Sequence, residues 1–297
     1  MQPAAICESF VFSHIPPRPA ESHKGSFGRV LLAAGSRRYR GAAGLAAEGA
    51  LRAGAGIVTL AAIEPVAAAV AARLPECCLL PCPEGADGGI SAAAADALLT
   101  ERAKATVLLM GPGMGDTPDT RALLCALAEA APCTVVLDAD ALNAAAALRA
   151  AGQPLPRPAA GHDLVLTPHP GEMARLTGLP AAAIQADRPG AAARCAAQWG
   201  CTVVLKGHRT LIAAPDGRLW QNDTGNPGLA RGGSGDVLAG MTAGLAACGL
   251  PGPIAAACAV WLHGAAADRC AARLGQYGML PHDLLADLGA LFAEHDR

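Results

Sequence analysis

"RVLLAAGSRRYRGAAGLAAEGALRAGAGIVTLAA", residues 29–62, contains one complete strand–helix–strand unit. Its ends, 29–34 and 57–62, are apolar apart from Arg29 and Thr59, with no alternation of inward and outward residues, as expected of strands covered on both faces. Between them the Ala-rich stretch 42–54 reads as a helix, because Ala is the best helix former. The same alternation continues along the chain. Further strands are expected at 106–110, 134–139, 163–167 and 202–206, and further helices at 65–73, 92–104, 118–131 and 190–199. Such repetition predicts an α/β fold with a mostly parallel sheet and helices on both sides. "TLIAAPDGRLWQ" (210–221) predicts a hairpin around Pro-Asp-Gly at the sheet edge. Helices follow at 235–248, 254–273 and 282–294.

Composition narrows the function classes. Of 297 residues, 52% are hydrophobic and 16% charged, which favours a sizeable core over disorder. The formal charge of −2 leaves no electrostatic footprint for nucleic acid or an anionic membrane, so any phosphate binding must be local. Eleven cysteines are scattered; Cys77, Cys78 and Cys82 come nearest to a cluster but lack a second pair at zinc spacing. Most read as small buried hydrophobes in a reducing, cytoplasmic setting, with no metal ligands assigned. The N-terminal sequence lacks the basic start and apolar run of a signal peptide. The uncharged run Val237–Leu262 is long enough for a membrane span, but "CGLPGP" (248–253) interrupts it, so two buried helices joined by a turn are expected. The Pro/Gly-rich stretches 81–89 and 152–161 resemble linkers without dividing the pattern into two cores. The expected organisation is an N-terminal extension, 1–22, followed by a single domain, 23–297.

Parallel sheets bind ligands at the carboxyl ends of their strands. Five strands of this chain end in "GSRRYRGAAG" (35–44), "GPGMG" (111–115), "ADALN" (139–143), "PHPGE" (168–172) and "GHRT" (207–210). Each is weak alone, since loops favour such residues; together they point to a single cleft. "GGSGD" (232–236) adds glycines whose N–H groups can converge on an anion, at the positive end of the helix expected from about Gly235. Asp236 has two readings. One is a helix-terminal acid after a turn, stabilised by ~0.3–1 kcal/mol. The other is a base for phosphoryl transfer beside an anion hole of Gly232, Gly233, Ser234 and Gly235. A reference pKa near ~3.9 makes Asp a poor base at pH 7, yet a loose transfer needs the proton removed only late.

Other residues carry similar alternatives. His169 is a stiffened loop histidine or a ligand contact, between two prolines. Lys206 is a strand's exit to solvent or a nucleotide contact. "GPGMG" is neither a Walker loop nor GxGxxG, and Ser234 lacks the G-x-S-x-G context of a nucleophile. His23 and Lys24 read as exposed.

In order, "HKGSFGRVLLAAGS", "GAAGLAAEGALRAGAG", "GPGMG", "VVLDADALN", "LTPHPGEMARLTG", "VVLKGHRT", "NDTGNPGLARGGSGDVLAG" and "AVWLHGAAAD" resemble the NAD(P)H-hydrate dehydratase family of the ribokinase-like superfamily. The resemblance runs from about His23 to Leu285. It implies a ribokinase-like three-layer α/β/α sandwich. It also implies repair of the hydrated cofactors NADHX and NADPHX: ADP (or ATP) phosphorylates the ring hydroxyl, phosphate leaves, and NAD(P)H is restored, with AMP and phosphate released from ADP. The nucleotide is expected to bring Mg2+. Many relatives carry an epimerase domain. Only about 22 residues precede "HKGSFG", so a separate epimerase and action on the S epimer are expected, in a homo-oligomer such as a tetramer.

By motif, Ala42, Gly113, His169 and Asp236 match the family's hydrate contacts. Lys206, Gly207, His208, Arg209, Thr210 and Gly235 match its nucleotide contacts, with Asp236 as the base. Ser234 stands where the family more often has Thr. Arg37, Arg38 and Arg40 are candidates for a 2′-phosphate contact. The rival readings are a ribokinase-like kinase for a hydroxymethylpyrimidine or hydroxyethylthiazole, and a non-catalytic nucleotide sensor.

Overall fold

The computed structural model describes residues 2–295. Its strands are β1 (Ala4–Ala5), β2 (Arg29–Ala33), β3 (Ile57–Ile63), β4 (Cys78–Cys82), β5 (Val107–Met110), β6 (Thr134–Leu137), β7 (Leu164–Leu166), β8 (Thr202–Leu205), β9 (Leu211–Ala213) and β10 (Leu219–Gln221). They form one ten-stranded sheet in the order β1-β10-β9-β8-β7-β6-β5-β2-β3-β4. From β8 to β4 every pairing is parallel; β9 and β10 form the expected antiparallel hairpin. The apolar runs of β2, β5, β6, β7 and β8 are buried almost without exception, which is why they show no alternation.

The sheet has a helical layer on each face. One layer passes from Ala95–Arg102 through Pro118–Ala128, Ala139–Ala150, Pro170–Thr177 and Ala181–Ala186 to Arg188–Trp199. The other comprises Glu8–His14, Arg40–Arg52, Glu64–Ala71, Ser234–Ala247, Gly252–Gly278 and Leu284–Ala293. The run Val237–Leu262 is indeed two buried helices with a break at Cys248–Pro251. Among the described residues no helix is long and apolar enough to cross a membrane.

Four parts of the chain depart from expectation. The leading segment is incorporated: Ala4 and Ala5 pair with Trp220 and Gln221, and Glu8–His14 packs on Gly252–Gly278. The stretch at 81–89 is no linker; Cys78–Cys82 pairs with β3 at the sheet edge, where Pro81 costs no ladder bond, and Glu84 bridges Ile90. "ADALN" and "PHPGE" are not plain loops. They open the helices Ala139–Ala150 and Pro170–Thr177 directly from the strand ends.

Two features position the ligand edge. The strand order reverses at β2, whose neighbours are β3 and β5, so a crevice opens between the loops after β2 and β5. Above it, helices Arg40–Arg52 and Ser234–Ala247 cross closely. A Cβ on Gly240 would lie 3.0 Å from Ala46 Cα, and one on Gly244 would lie 3.0 Å from Ala53 Cβ. That closeness requires the small residues of "GAAGLAAEGA" and "GDVLAGMTAG". The contacts of Gly240 with Ala46 and of Gly244 with Ala50 run in register.

Candidate active site

The Gly-rich turn is shaped by Gly233, whose φ of 101° precedes the helix Ser234–Ala247. A side chain there would meet Leu45 at 2.7 Å. No side chain caps this helix; Ser234 N donates to the Arg231 carbonyl (3.3 Å), which leaves the N–H groups of Gly235 and Asp236 to face an anion. The turn is anchored from behind. Asn226 Nδ2 donates to Asp268 Oδ1 (2.9 Å) and to the Ala267 carbonyl (3.0 Å); Gly225 N donates to Asp268 Oδ2 (2.8 Å); Thr224 Oγ1 donates to the Trp261 carbonyl (3.0 Å). "NDTGN" and "AVWLHGAAAD" are thus two halves of one support, an arrangement invisible in either alone.

Opposite the turn stands a charged group reaching across three strands. Lys206, just beyond β8, places Nζ 2.7 Å from Asp138 Oδ1, just beyond β6, and 3.8 Å from Glu172 Oε2. Thr167, at the end of the intervening β7, donates to the same Asp138 oxygen at 2.7 Å. A Cβ on Gly235 would lie 3.3 Å from Lys206 Nζ and 3.9 Å from Asp138 Oδ2, so this cluster faces the anion turn directly. Burial works against the Lys206 ammonium, but Asp138 and Glu172 outweigh it and keep the group charged.

Asp236 lies in the first turn of the helix, and its setting reverses the expectation of a low pKa. Burial, reinforced by the charge of Asp138 and opposed by Lys206, pushes its carboxyl up to about 7. Burial similarly carries Glu172 to about 7. A carboxylate tuned to this range can accept a proton at neutral pH.

The crevice side brings Ala42 and Gly113 together, while His169 stands with Glu172 and Lys206. Gly113 (φ 64°) stands against Ala42, whose Cβ would be 2.9 Å from a Gly113 Cβ. Gly35 N donates to Pro112 O at 2.8 Å, joining the loops after β2 and β5, and Asp140 Oδ2 accepts from Gly115 N at 2.8 Å. His169 has a structural task as well as an exposed edge. Its Nδ1 accepts from Gly171 N (3.0 Å) and Glu172 N (3.2 Å), capping the helix Pro170–Thr177, while Glu172 Oε2 accepts from His169 N (2.8 Å). These bonds place the neutral ring's proton on Nε2, and burial with nearby Lys206 lowers its pKa.

The segment 206–210 divides. Lys206 points inward, whereas Gly207, His208 and Arg209 form an exposed turn with Arg209 at φ 57°. Arg188 braces that turn, donating to the carbonyls of His208 (2.6 Å), Leu205 (3.0 Å) and Lys206 (3.2 Å), and Thr210 Oγ1 donates to Gly207 O (2.9 Å).

Asp138, Thr167, Asp140, Arg188 and Asp268 were not among the sequence-derived candidates. His263 was also missed: it is buried near Ser234, its Nε2 has no hydrogen-bond partner, and burial drives its pKa to about 4. Of the three arginine candidates, Arg37 is committed to Glu84 (Nη2–Oε2 2.8 Å), while Arg38 lies 5.3 Å from the Tyr39 ring centre.

Among the described residues no group of three or more His, Cys, Asp or Glu converges as a metal cage. Asp138 and Glu172 both face the Lys206 ammonium.

With the geometry defined, comparison places the chain. The NAD(P)H-hydrate dehydratase family model matches residues 30–289. The chain belongs to the NAD(P)H-hydrate dehydratase family. It is 47% identical over 284 residues to a bifunctional NAD(P)H-hydrate repair enzyme of Moorella thermoacetica, covering 95% of this chain and 52% of that protein. The chain thus spans about half the length of such bifunctional relatives. It is 39% identical to an ADP-dependent (S)-NAD(P)H-hydrate dehydratase of Bacillus subtilis, covering 93% of each. A crystal structure of the ADP/ATP-dependent dehydratase from B. subtilis, co-crystallised with ATP/Mg2+, superposes with a TM-score of 0.85 at 34% identity over 99% of both chains. A ribokinase-like superfamily protein from Enterococcus faecalis gives 0.83 at 28% identity, covering 98% of this chain and 96% of that one. The fold is the ribokinase-like three-layer sandwich.

Proposed function

We propose that this chain is an ADP-dependent (S)-NAD(P)H-hydrate dehydratase. The observation that carries the chemistry is Asp236, held near neutral pKa on an uncapped helix N-terminus and facing an ammonium group. The names of the relatives supply the substrate and donor.

In this account the turn Gly232, Gly233, Ser234 and Gly235 receives the phosphoryl group; Ser234 N is tied to the Arg231 carbonyl and holds the turn's shape, so the dipoles of its neighbours are fixed in advance. Gly207–Thr210 holds the rest of the nucleotide. Ala42, Gly113 and the Nε2 edge of His169 hold the hydrated ring in the crevice. Asp236 orients the ring hydroxyl and takes its proton as the oxygen bonds to the terminal phosphorus of ADP and AMP departs. The ring carbon–oxygen bond then breaks, phosphate leaves with that oxygen, and loss of a proton from the neighbouring carbon restores the double bond. Among the described residues the side chains form no dedicated metal cage; Mg2+ bound to the nucleotide would offset phosphate charge against the nearby carboxylates.

We further propose that 23–297 works as one ribokinase-like domain onto which 1–22 is packed, in a cytoplasmic homo-oligomer such as a tetramer, alongside an NAD(P)HX epimerase activity. Tyr277, 97% exposed and flanked by exposed Leu274 and Leu280, supports an interface at that helix end. The test of function is spectrophotometric: NADHX with ADP and Mg2+ should regain reduced-nicotinamide absorbance with equimolar AMP and phosphate. Nucleotide binding without recovery from an epimer mixture would refute the reading.

A further inference from the structure

Asp138 contributes no exposed surface to the cleft and occupies none of the positions matched to substrate or nucleotide, yet two short hydrogen bonds converge on its Oδ1. One comes from Thr167 Oγ1, the other from Lys206 Nζ, each at 2.7 Å. The carboxylate is 1% exposed, so its orientation is set by these donors rather than by water. Lys206 has four side-chain carbons and could turn towards any nearby acid. It lies within electrostatic reach of both Glu172 and Asp236, but pairs with Asp138. Its Nζ thereby rests over Gly235.

We propose that Asp138 is a positioning residue: through Thr167 and Lys206 it holds the ammonium over the anion turn, where the phosphoryl group passes, and keeps it from pairing with Asp236. Glu172, bonded to His169 N and 3.8 Å from Lys206, limits the ammonium's movement on the other side. This inference rests on the reading of Asp236 as the base. It separates Lys206 from the exposed turn Gly207–Arg209 and assigns it to the transferring phosphoryl group rather than to the rest of the nucleotide.

The arrangement predicts opposite behaviour from the two partners. In Asp138→Asn the acceptor weakens and a buried negative charge is lost, so the ammonium swings towards Asp236. Both changes favour the Asp236 anion. The other groups acting on Asp236 are Asp140, in the first turn of Ala139–Ala150, and Glu172, in Pro170–Thr177; both are retained. In Lys206→Met the positive charge itself disappears.

The experiment compares wild type, Asp138→Asn and Lys206→Met in pH–rate profiles with (S)-NADHX, and in calorimetric titrations with ADP and AMP in the presence of Mg2+. For Asp138→Asn the expected result is a plateau kcat about tenfold lower, an acid limb moved down by a unit or more from near 7, and undiminished ADP affinity. For Lys206→Met the preference for ADP over AMP should shrink by about tenfold or more. An unmoved acid limb in Asp138→Asn, or loss of ADP affinity in step with kcat, would overturn the positioning role. Retention of the ADP preference in Lys206→Met would overturn the assignment of Lys206. A wild-type protein that fails to restore NADH refutes the dehydratase reading instead; the ADP/AMP comparison then decides the assignment of Lys206 by itself.

Discussion

The Lys206 ammonium meets the Asp138 carboxylate at 2.7 Å across the end of β7, joining two strands that are not neighbours in the sheet. Two strand spacings, roughly 9–10 Å, separate β8 from β6. A long side chain spans that gap only over a small residue, and Thr167 is both small and a donor to Asp138. The pair fixes the charge facing the uncapped helix that begins at Ser234.

Asp236→Asn removes the base while keeping the shape of the side chain. Its kcat for the hydrate should fall by roughly 10²–10⁴, while ADP affinity by calorimetry stays within a few-fold of wild type. An unchanged kcat would remove Asp236 from the reaction.

The pH dependence follows from the raised pKa. A base must be deprotonated, so kcat/KM should fall about tenfold per unit below a pKa near 7 and level off above it. Stability runs the opposite way. The folded protein holds protons on Asp236 and Glu172 that the unfolded chain releases near ordinary carboxyl values. Their contribution to stability is therefore full at low pH and is lost as pH rises through about 7. Asp236→Asn should accordingly raise Tm by a few degrees at pH 8, in differential scanning calorimetry, and by less than half as much at pH 5. A lower Tm at pH 8 would contradict this.

Gly235→Ala tests the closeness of the ammonium to the turn. Its methyl would lie 3.3 Å from Lys206 Nζ, and the backbone there needs no positive φ. The protein should fold normally, lose about tenfold in ADP affinity and lose turnover. Normal ADP binding would place the phosphates elsewhere.

Asp268→Ala removes the acceptor of Gly225 N and Asn226 Nδ2. Loss of two hydrogen bonds at an exposed site should cost about 1–2 kcal/mol in denaturant unfolding. KM should rise because the turn at 232–235 is no longer braced. A KM equal to wild type would show that the turn holds its own shape.

The fold was legible where burial is complete. Continuous apolar runs such as those of β5 and β8 leave a signature that needs no partner to interpret. β1 was not legible, being two residues whose pairing with Trp220 and Gln221 comes from the far end of the chain. β4 was hidden by Pro81, which suggests a turn until the strand is known to be an edge. At the site, glycine turns and strand-end polar residues were recognisable, but their pairing was not. "TVVLD" (134–138) and "TVVLK" (202–206) are the same apolar strand with opposite final charges, a signal for Asp138 and Lys206 that was available. Reading it required the strand order, since sequence separates the two by an entire strand and several helices. The pKa of Asp236 was unreadable for the same reason: helix position argues downward, whereas burial among carboxylates contributed by other elements argues upward and wins.

The central claim is that the ring hydroxyl is itself phosphorylated and leaves as phosphate. (S)-NADHX carrying ¹⁸O in that hydroxyl, turned over with unlabelled ADP and Mg2+, tests it directly by mass spectrometry of the phosphate released. The account predicts one ¹⁸O in each phosphate formed with NADH. Label appearing in water, with unlabelled phosphate, would mean that nucleotide hydrolysis and dehydration are separate events, and would contradict the account.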